Sequence, residues 1–206
     1  MDETQFLYNS WKTCLELAND RGYIVNENYY NITLKDFKFM LTNKDSHIDI
    51  ICNEHKTDTN AILYIKYILA LKIKPSNIKD IYEEIKEKIS NNKNTKLILI
   101  LKSRPNNSIL KLQKDKSYGE IQIFWCKQLQ FNVTKHELVP NHKKLSEEDS
   151  FNILKRYNLT NKSQLPVLLK DDVISKYYNY NTGDIIEITN TNTSQNGNYK
   201  FYRCVR

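Results

Sequence analysis

Apolar residues recur every three or four positions at the start of the chain: Phe6, Leu7, Trp11, Cys14, Leu15 and Ala18. That period predicts an amphipathic helix over 3–21, and Gly22 follows as its stop signal. Thr33-Leu34-Lys35-Asp36 has the form of a capping box and predicts a second helix to about Asn43. The period then shortens. Residues 47–52 and 61–67 are rich in Ile and Tyr and read as strands. Pro75 stands where a helix can begin, and Ile78, Ile81, Tyr82, Ile85 and Ile89 keep helical spacing to about Ser90. Apolar runs at 96–101 and 121–125 suit buried strands, with a helix or turn around 107–118 between them. The alternation predicts a mixed α/β domain over 1–130, large enough to bury its own core.

A different rhythm follows. Ser146 is a helix cap with Glu147, Glu148 and Asp149 in the first turn, where negative charge is favoured. Phe151, Ile153, Leu154 and Tyr157 form the apolar face, and Lys155 and Arg156 place cations near the helix end. Pro166 excludes a central strand throughout 164–169, because proline cannot donate to a ladder. Asp171 is predicted to cap a short helix containing Val173, Ile174 and Tyr177. Gly183-Asp184 leads into a strand over 185–188, Asn196-Gly197 signals a hairpin, and 199–205 would return. The fold class expected is α+β, with a second, small α/β domain over 134–206.

Composition narrows the picture. With 206 residues, 40% of them hydrophobic, the chain can hold one large domain or two modest ones. No apolar run approaches the ~20 residues that span a bilayer, and acids stand where a signal peptide would carry basic residues. Cys14, Cys52, Cys126 and Cys204 are scattered, with no C-x-x-C pair, as reduced core residues are. An intracellular protein is expected, without membrane association. The net charge of +7 is compatible with a polyanionic partner, and its excess is spread: 20 basic against 16 acidic residues in 1–133, 11 against 8 in 134–206.

Few catalytic constellations survive inspection. Asp49 followed by Tyr64-Ile65-Lys66 parallels the Asp and Glu/Asp-x-Lys of restriction-endonuclease-like nucleases, but a tyrosine stands at the second acid. A phenol with an ordinary pKa near ~10 is a poor ligand for Mg²⁺. Asp49 and Lys66 are therefore expected to be ordinary polar positions on half-exposed strands. The chain has no G-x-x-x-x-G-K-S/T, G-x-G-x-x-G or G-x-S-x-G. His47 and His55 lie eight apart, and His136 and His142 six apart, so neither pair has the i, i+4 spacing of a helical ligand pair. No catalytic residue, metal or cofactor is expected.

The motifs of 136–206 occur in a telling order: H-E-L-V-P-N-H, a helix ending L-K-R-Y, Q-L-P, D-D-V, G-D-I-I-E-I and Y-K-F-Y-R. Together they resemble the assembly domain of subunit five of eukaryotic nuclear RNA polymerases and of its archaeal polymerase counterpart. The family's elements are H-x-L-V-P-x-H, L-L-x-R-Y, Q-L-P, D-P-V, G-x-V-V-x-I and Y-x-x-Y-R. The first group matches at His136, Leu138, Val139, Pro140 and His142, with Leu145 after it. Leu154, Arg156 and Tyr157 match the helix end, and Gln164, Leu165 and Pro166 the Q-L-P. Asp171, Val173 and Gly183 follow, then Tyr199, Tyr202 and Arg203. Asp172 replaces a usual proline, Asn179 a usual glycine, and the polar loop 190–196 a usually basic one. Asn is the residue that next best tolerates a left-handed backbone.

Upstream, Arg104-Pro105-Asn106-Asn107-Ser108-Ile109-Leu110-Lys111 stands where eukaryotic homologues carry T-P-S-A-M-K. The resemblance implies a eukaryotic-type, two-domain subunit whose N-terminal jaw has a nuclease-like fold without a metal site. It implies a non-catalytic component of a DNA-directed RNA polymerase, held by residues 134–206 on the largest subunit among other polymerase subunits. The jaw would face downstream duplex DNA without reading its sequence, with Lys102, Arg104, Asn106, Asn107 and Lys111 nearest the phosphates. A solvated surface turn is the alternative for that patch. The terminal strand 199–205 is open between pairing with a partner and packing within its own module. The implied location is the nucleus, or a virion or cytoplasmic viral factory if the source is a large DNA virus. A metal-dependent nuclease and a free-standing transcription adaptor remain the rival readings.

Overall fold

A computed structural model of the chain describes residues 2–43, 48–54, 61–70, 72–88, 95–113, 115, 121–190 and 199–206. His47, His55, the 190–196 loop beyond Asn190 and the Asn196-Gly197 hairpin lie outside the described residues. The chain divides into two compact units, Met1–Phe131 and Asn132–Arg206.

In the first unit, helix α1 (Glu3–Asp20) starts at Asp2, whose carboxylate accepts from Thr4 N, and stops before Gly22 at φ 85°. Strand β1 (Tyr23–Ile24) and helix α2 (Glu27–Tyr30) follow. Helix α3 (Leu34–Thr42) carries the expected capping box, Thr33 and Asp36 each bonding the other's backbone. Then come β2 (Ile50–Glu54), β3 (Ile62–Ile68), α4 (Pro75–Lys88), β4 (Thr95–Leu101), α5 (Asn107–Leu112) and β5 (Ile121–Trp125). The strands lie in chain order, β1-β2-β3 antiparallel and β3-β4-β5 parallel.

Helices cover both faces of this sheet, which is why β3 and β4 are nearly continuous apolar runs. On one face Tyr64, Ile68, Leu97, Leu99, Leu101, Ile121 and Ile123 pack against Ile78 and Ile85 of α4 and Ile109 of α5. On the other, the Tyr67 hydroxyl meets Ser10 and Cys14 of α1, and Trp11 packs against Phe37 of α3. Of the described residues, Ile48 and Asp49 immediately precede β2, which begins at Ile50. The Ile48 carbonyl accepts from Trp11 Nε1 at 3.0 Å, and the ladder with β3 starts at Ile50.

The second unit holds β6 (Asn141–Lys144), α6 (Glu147–Arg156), β7 (Val167–Leu168), α7 (Val173–Tyr178), β8 (Ile185–Asn190) and β9 (Tyr199–Val205). Its sheet order is β6-β8-β9-β7. Leu145, Leu165, Ile185, Tyr202 and Cys204 form a core on one side, joined by Ile153 and Leu154 of α6. Leu168, Tyr180, Ile186, Ile188 and Val205 form the other, joined by Tyr178. One cap needs correction, and one strand has no counterpart among the expected elements. Asp172, not Asp171, caps α7, its carboxylate accepting from Ile174 N at 2.9 Å. β6 is an edge strand of sequence Asn-His-Lys-Lys, whose polar residues carry no strand period. Asn179 ends α7 in the left-handed region at φ 56°, the conformation a glycine would otherwise supply.

Candidate functional site

Burial sorts the motif residues of the second unit into two groups. Leu145, Leu165 and Tyr202 are buried and build the fold. Gly183 takes φ 92°, and its N–H donates to the Val205 carbonyl, so a residue other than glycine would be strained there. Pro166 offers its carbonyl to Cys204 N, and the Gln164 side-chain oxygen accepts from Thr160 N and Asn161 N, pinning the turn ahead of β7. Arg203 donates to the Val167 carbonyl at 2.9 Å. The Tyr202 hydroxyl donates to Glu187 at 3.3 Å.

The other motif residues are available at the surface. Leu138 is 79% exposed, Tyr157, Val173 and Tyr199 about half. Arg156 and Asp171 are exposed, and Val139 and Pro140 partly so. Phe151 (67%), Leu169 (65%) and Val167 (37%) join them. Sequence periodicity counted Phe151 as core, and the solvent-facing side of α6 is where it lies. β9 is an inner strand: it pairs with β8 along its length and with β7 at Cys204 and Val205. Of the two histidines, exposed His136 accepts from Leu138 N, and half-buried His142 bonds the Pro140 carbonyl through Nδ1. Burial, more than any neighbour, lowers the pKa of His142, opposed by its bond to Pro140 and by Asp172.

In the first unit, the proposed phosphate-proximal residues separate. Lys102 N donates to the Ile68 carbonyl, and its ammonium pairs with Glu3. Arg104 is exposed. Asn106 caps α5, its side chain accepting from Ile109 N, and Asn107 is the first helical residue. Lys111 lies in the last turn of α5, away from the strand end that holds the other four.

Asp49 and Lys66 are not half-exposed. Their side chains are 9% and 18% exposed, and they form an ion pair at 2.8 Å. The Asp49 carboxylate also accepts from the Tyr64 hydroxyl and from Tyr67 N, each at 3.1 Å. Burial and then the Asp49 charge push the Tyr64 phenol well above its usual pKa, so it stays neutral. Lys66 and the Tyr64 hydroxyl thus share one oxygen of the Asp49 carboxylate, and a neutral phenol supplies no second anion beside it. Among the described residues, no group of three or more His, Cys, Asp or Glu is placed to hold a metal ion. All four cysteines are buried thiols, Cys14 pushed up to about 12 and Cys52 to about 11 by burial. No helix among the described residues is long and apolar enough to cross a membrane.

Comparison with known proteins gives these surfaces a setting. The model "RNA polymerase Rpb5, N-terminal domain" matches residues 1–85, and "RNA polymerase Rpb5, C-terminal domain" matches 131–205. The chain belongs to the RNA polymerase Rpb5 family. Similarity to curated members runs nearly end to end. DNA-directed RNA polymerase V subunit 5A of Arabidopsis thaliana is 28% identical, over 99% of this chain and 90% of that protein. DNA-directed RNA polymerases IV and V subunit 5B of the same plant is 28% identical, over 96% and 88%. DNA-directed RNA polymerases I, II, and III subunit RPABC1 of Caenorhabditis elegans is 26% identical, over 98% and 97%. The C-terminal match of this Rpb5-family chain takes in every strand of the second sheet. The N-terminal match ends within α4, so β4, α5, β5 and the loop from Lys102 to Asn106 lie between the two models.

Proposed function

We propose that this chain is a non-catalytic subunit of a multisubunit DNA-directed RNA polymerase. Its second unit would dock on the largest subunit, and its first would form part of the lower jaw beside downstream duplex DNA. The observation that carries the reading is the near end-to-end similarity to three polymerase subunits, spanning both units rather than one. The surface chemistry supports the division of labour. Residues 134–206 carry only three more basic than acidic residues, and their exposed Leu138, Phe151, Leu169 and Val173 offer apolar contact. Protein interfaces are built around such apolar anchors with charge depleted at their centre. The exposed cations of the first unit suit phosphate instead.

The test is recovery of tagged full-length chain from its native source, with partners identified by mass spectrometry. The two largest polymerase subunits should co-purify. Phe151→Glu and Leu169→Glu, at positions that project into solvent, should leave the chain folded, and at least one should reduce that recovery. Isolation of the chain alone at native salt would refute the reading.

A further inference from the structure

Parallel strands begin at one edge of their sheet and end at the other, so the segments following them gather at a single edge. In the first unit β3, β4 and β5 end at Ile68, Leu101 and Trp125, side by side. The bond from Lys102 N to the Ile68 carbonyl ties the segment after β4 to the end of β3. Lys102 also acts electrostatically on Cys126, the first residue after β5. The three segments carry Lys72 and Lys74, Lys102 and Arg104, and Lys127. All but Lys102 are exposed, and no acid among the described residues pairs with Lys72, Lys74, Arg104 or Lys127. Among the described residues, Glu3 is the acid paired here, with Lys102, and its neighbour Asp2 caps α1. Helix α4 also starts here, with no acid in its first turn, and adds the positive end of its dipole.

We infer that the phosphate-binding surface of this chain is this whole strand-end edge, with Lys72, Lys74 and Lys127 contacting duplex DNA alongside Lys102 and Arg104. The inference rests on the proposed jaw role and deepens it from one loop to three. Open α/β sheets place ligands beyond the carboxyl ends of their parallel strands. Strands ~4.8 Å apart spread the three loops over roughly 10 Å. That width meets more than one phosphate, since each strand of a duplex carries a charge every ~3.4 Å of axis. Duplex is favoured over single strands because single-strand binding needs exposed rings to stack bases. At the end of β5 the Trp125 ring packs against the core, with the Lys127 ammonium 5.9 Å from its centre.

Full-length protein would be titrated with a mixed-sequence duplex, and binding followed by anisotropy across a salt series. Removing one cation that neutralises a phosphate flattens the log K against log salt slope by about 0.9. Lys72→Gln/Lys74→Gln/Lys127→Gln should therefore flatten it by about 2–3, and Arg104→Gln by about 0.9. Lys86→Gln, roughly 16 Å along α4 from its start, should leave it unchanged. Co-purification with polymerase should be intact in every variant, which separates this surface from docking. If Arg104→Gln flattens the slope and the triple variant does not, the three-loop surface is refuted and the one-loop jaw stands. If neither changes the slope, both fail while polymerase membership is untouched. Tighter binding of a single strand of equal length would also overturn the assignment.

Discussion

Removing the Asp49 carboxylate should destabilise the first unit far more than a surface substitution does. Asp49 accepts three hydrogen bonds, from Lys66 Nζ at 2.8 Å and from the Tyr64 hydroxyl and Tyr67 N at 3.1 Å. In Asp49→Ala all three donors lose their acceptor, and an ammonium only 18% exposed is left unpaired. Breaking a buried pair in this way costs about 3–5 kcal/mol, because the remaining charge keeps its desolvation penalty without its partner. Lys66→Met should cost less, about 1–3 kcal/mol, since the carboxylate keeps Tyr64 and Tyr67. Once Asp49 is gone, deleting the Lys66 charge relieves a penalty. The double variant should therefore be more stable than the sum of the singles by at least ~1 kcal/mol. Urea unfolding followed by tryptophan fluorescence reads this unit alone, since both tryptophans, Trp11 and Trp125, lie within it. Single variants within about 0.5 kcal/mol of the parent, or costs that simply add, would show that the pair bears no stability.

Two further outcomes concern the second unit, read from amide exchange of β8. Asn179→Ala should destabilise it by about 1–2 kcal/mol, because alanine pays a steric cost at φ 56°, while Asn179→Gly should cost markedly less; equal effects would refute the left-handed cap. His142 has its pKa lowered by burial, so its contribution is fully present above the ordinary value of 6.5 and is lost as pH falls through the lower folded value. Stability of the second unit should therefore decline on acidification below neutral pH, and His142→Asn should flatten that part of the profile. An unchanged profile would mean that His142 titrates alike in both states.

The legible parts of the fold are those where burial acts on a long stretch. α1 and α4 have enough turns for one face to be identified, β3 and β4 are long apolar runs buried on both faces, and the Thr33–Asp36 box marks α3 through its own hydrogen bonds. β1, α2 and β6 are short and are held by their neighbours; β1 exists because Tyr23 and Ile24 pair with Glu54 and Asn53, and nothing local requires it. Asp171 and Asp172 are chemically identical caps, and only the backbone decides which carboxylate meets an N–H. Asp49 and Lys66 were visible as residues, but their pairing depends on the path of the chain ahead of β2, where the Trp11 indole donates to the Ile48 carbonyl.

The functional surfaces divide along the same line. Motif order in 136–206 identifies the module but cannot separate Leu165, buried in the core, from Leu138, nearly bare. Those two carry opposite predictions: replacing the first damages the fold, and replacing the second leaves the fold and tests contact with a partner. In the jaw, a single segment was legible because its five residues are neighbours in the chain. Lys74 and Lys127 stand 53 positions apart, and the segments that carry them follow strands of one parallel set, β3, β4 and β5. Strand direction is not written in any local pattern of apolar and polar positions. A charged surface assembled by parallel topology is therefore invisible to motif reading even when every one of its lysines is in plain view, and Lys111, adjacent in sequence, falls away from it at the other end of α5.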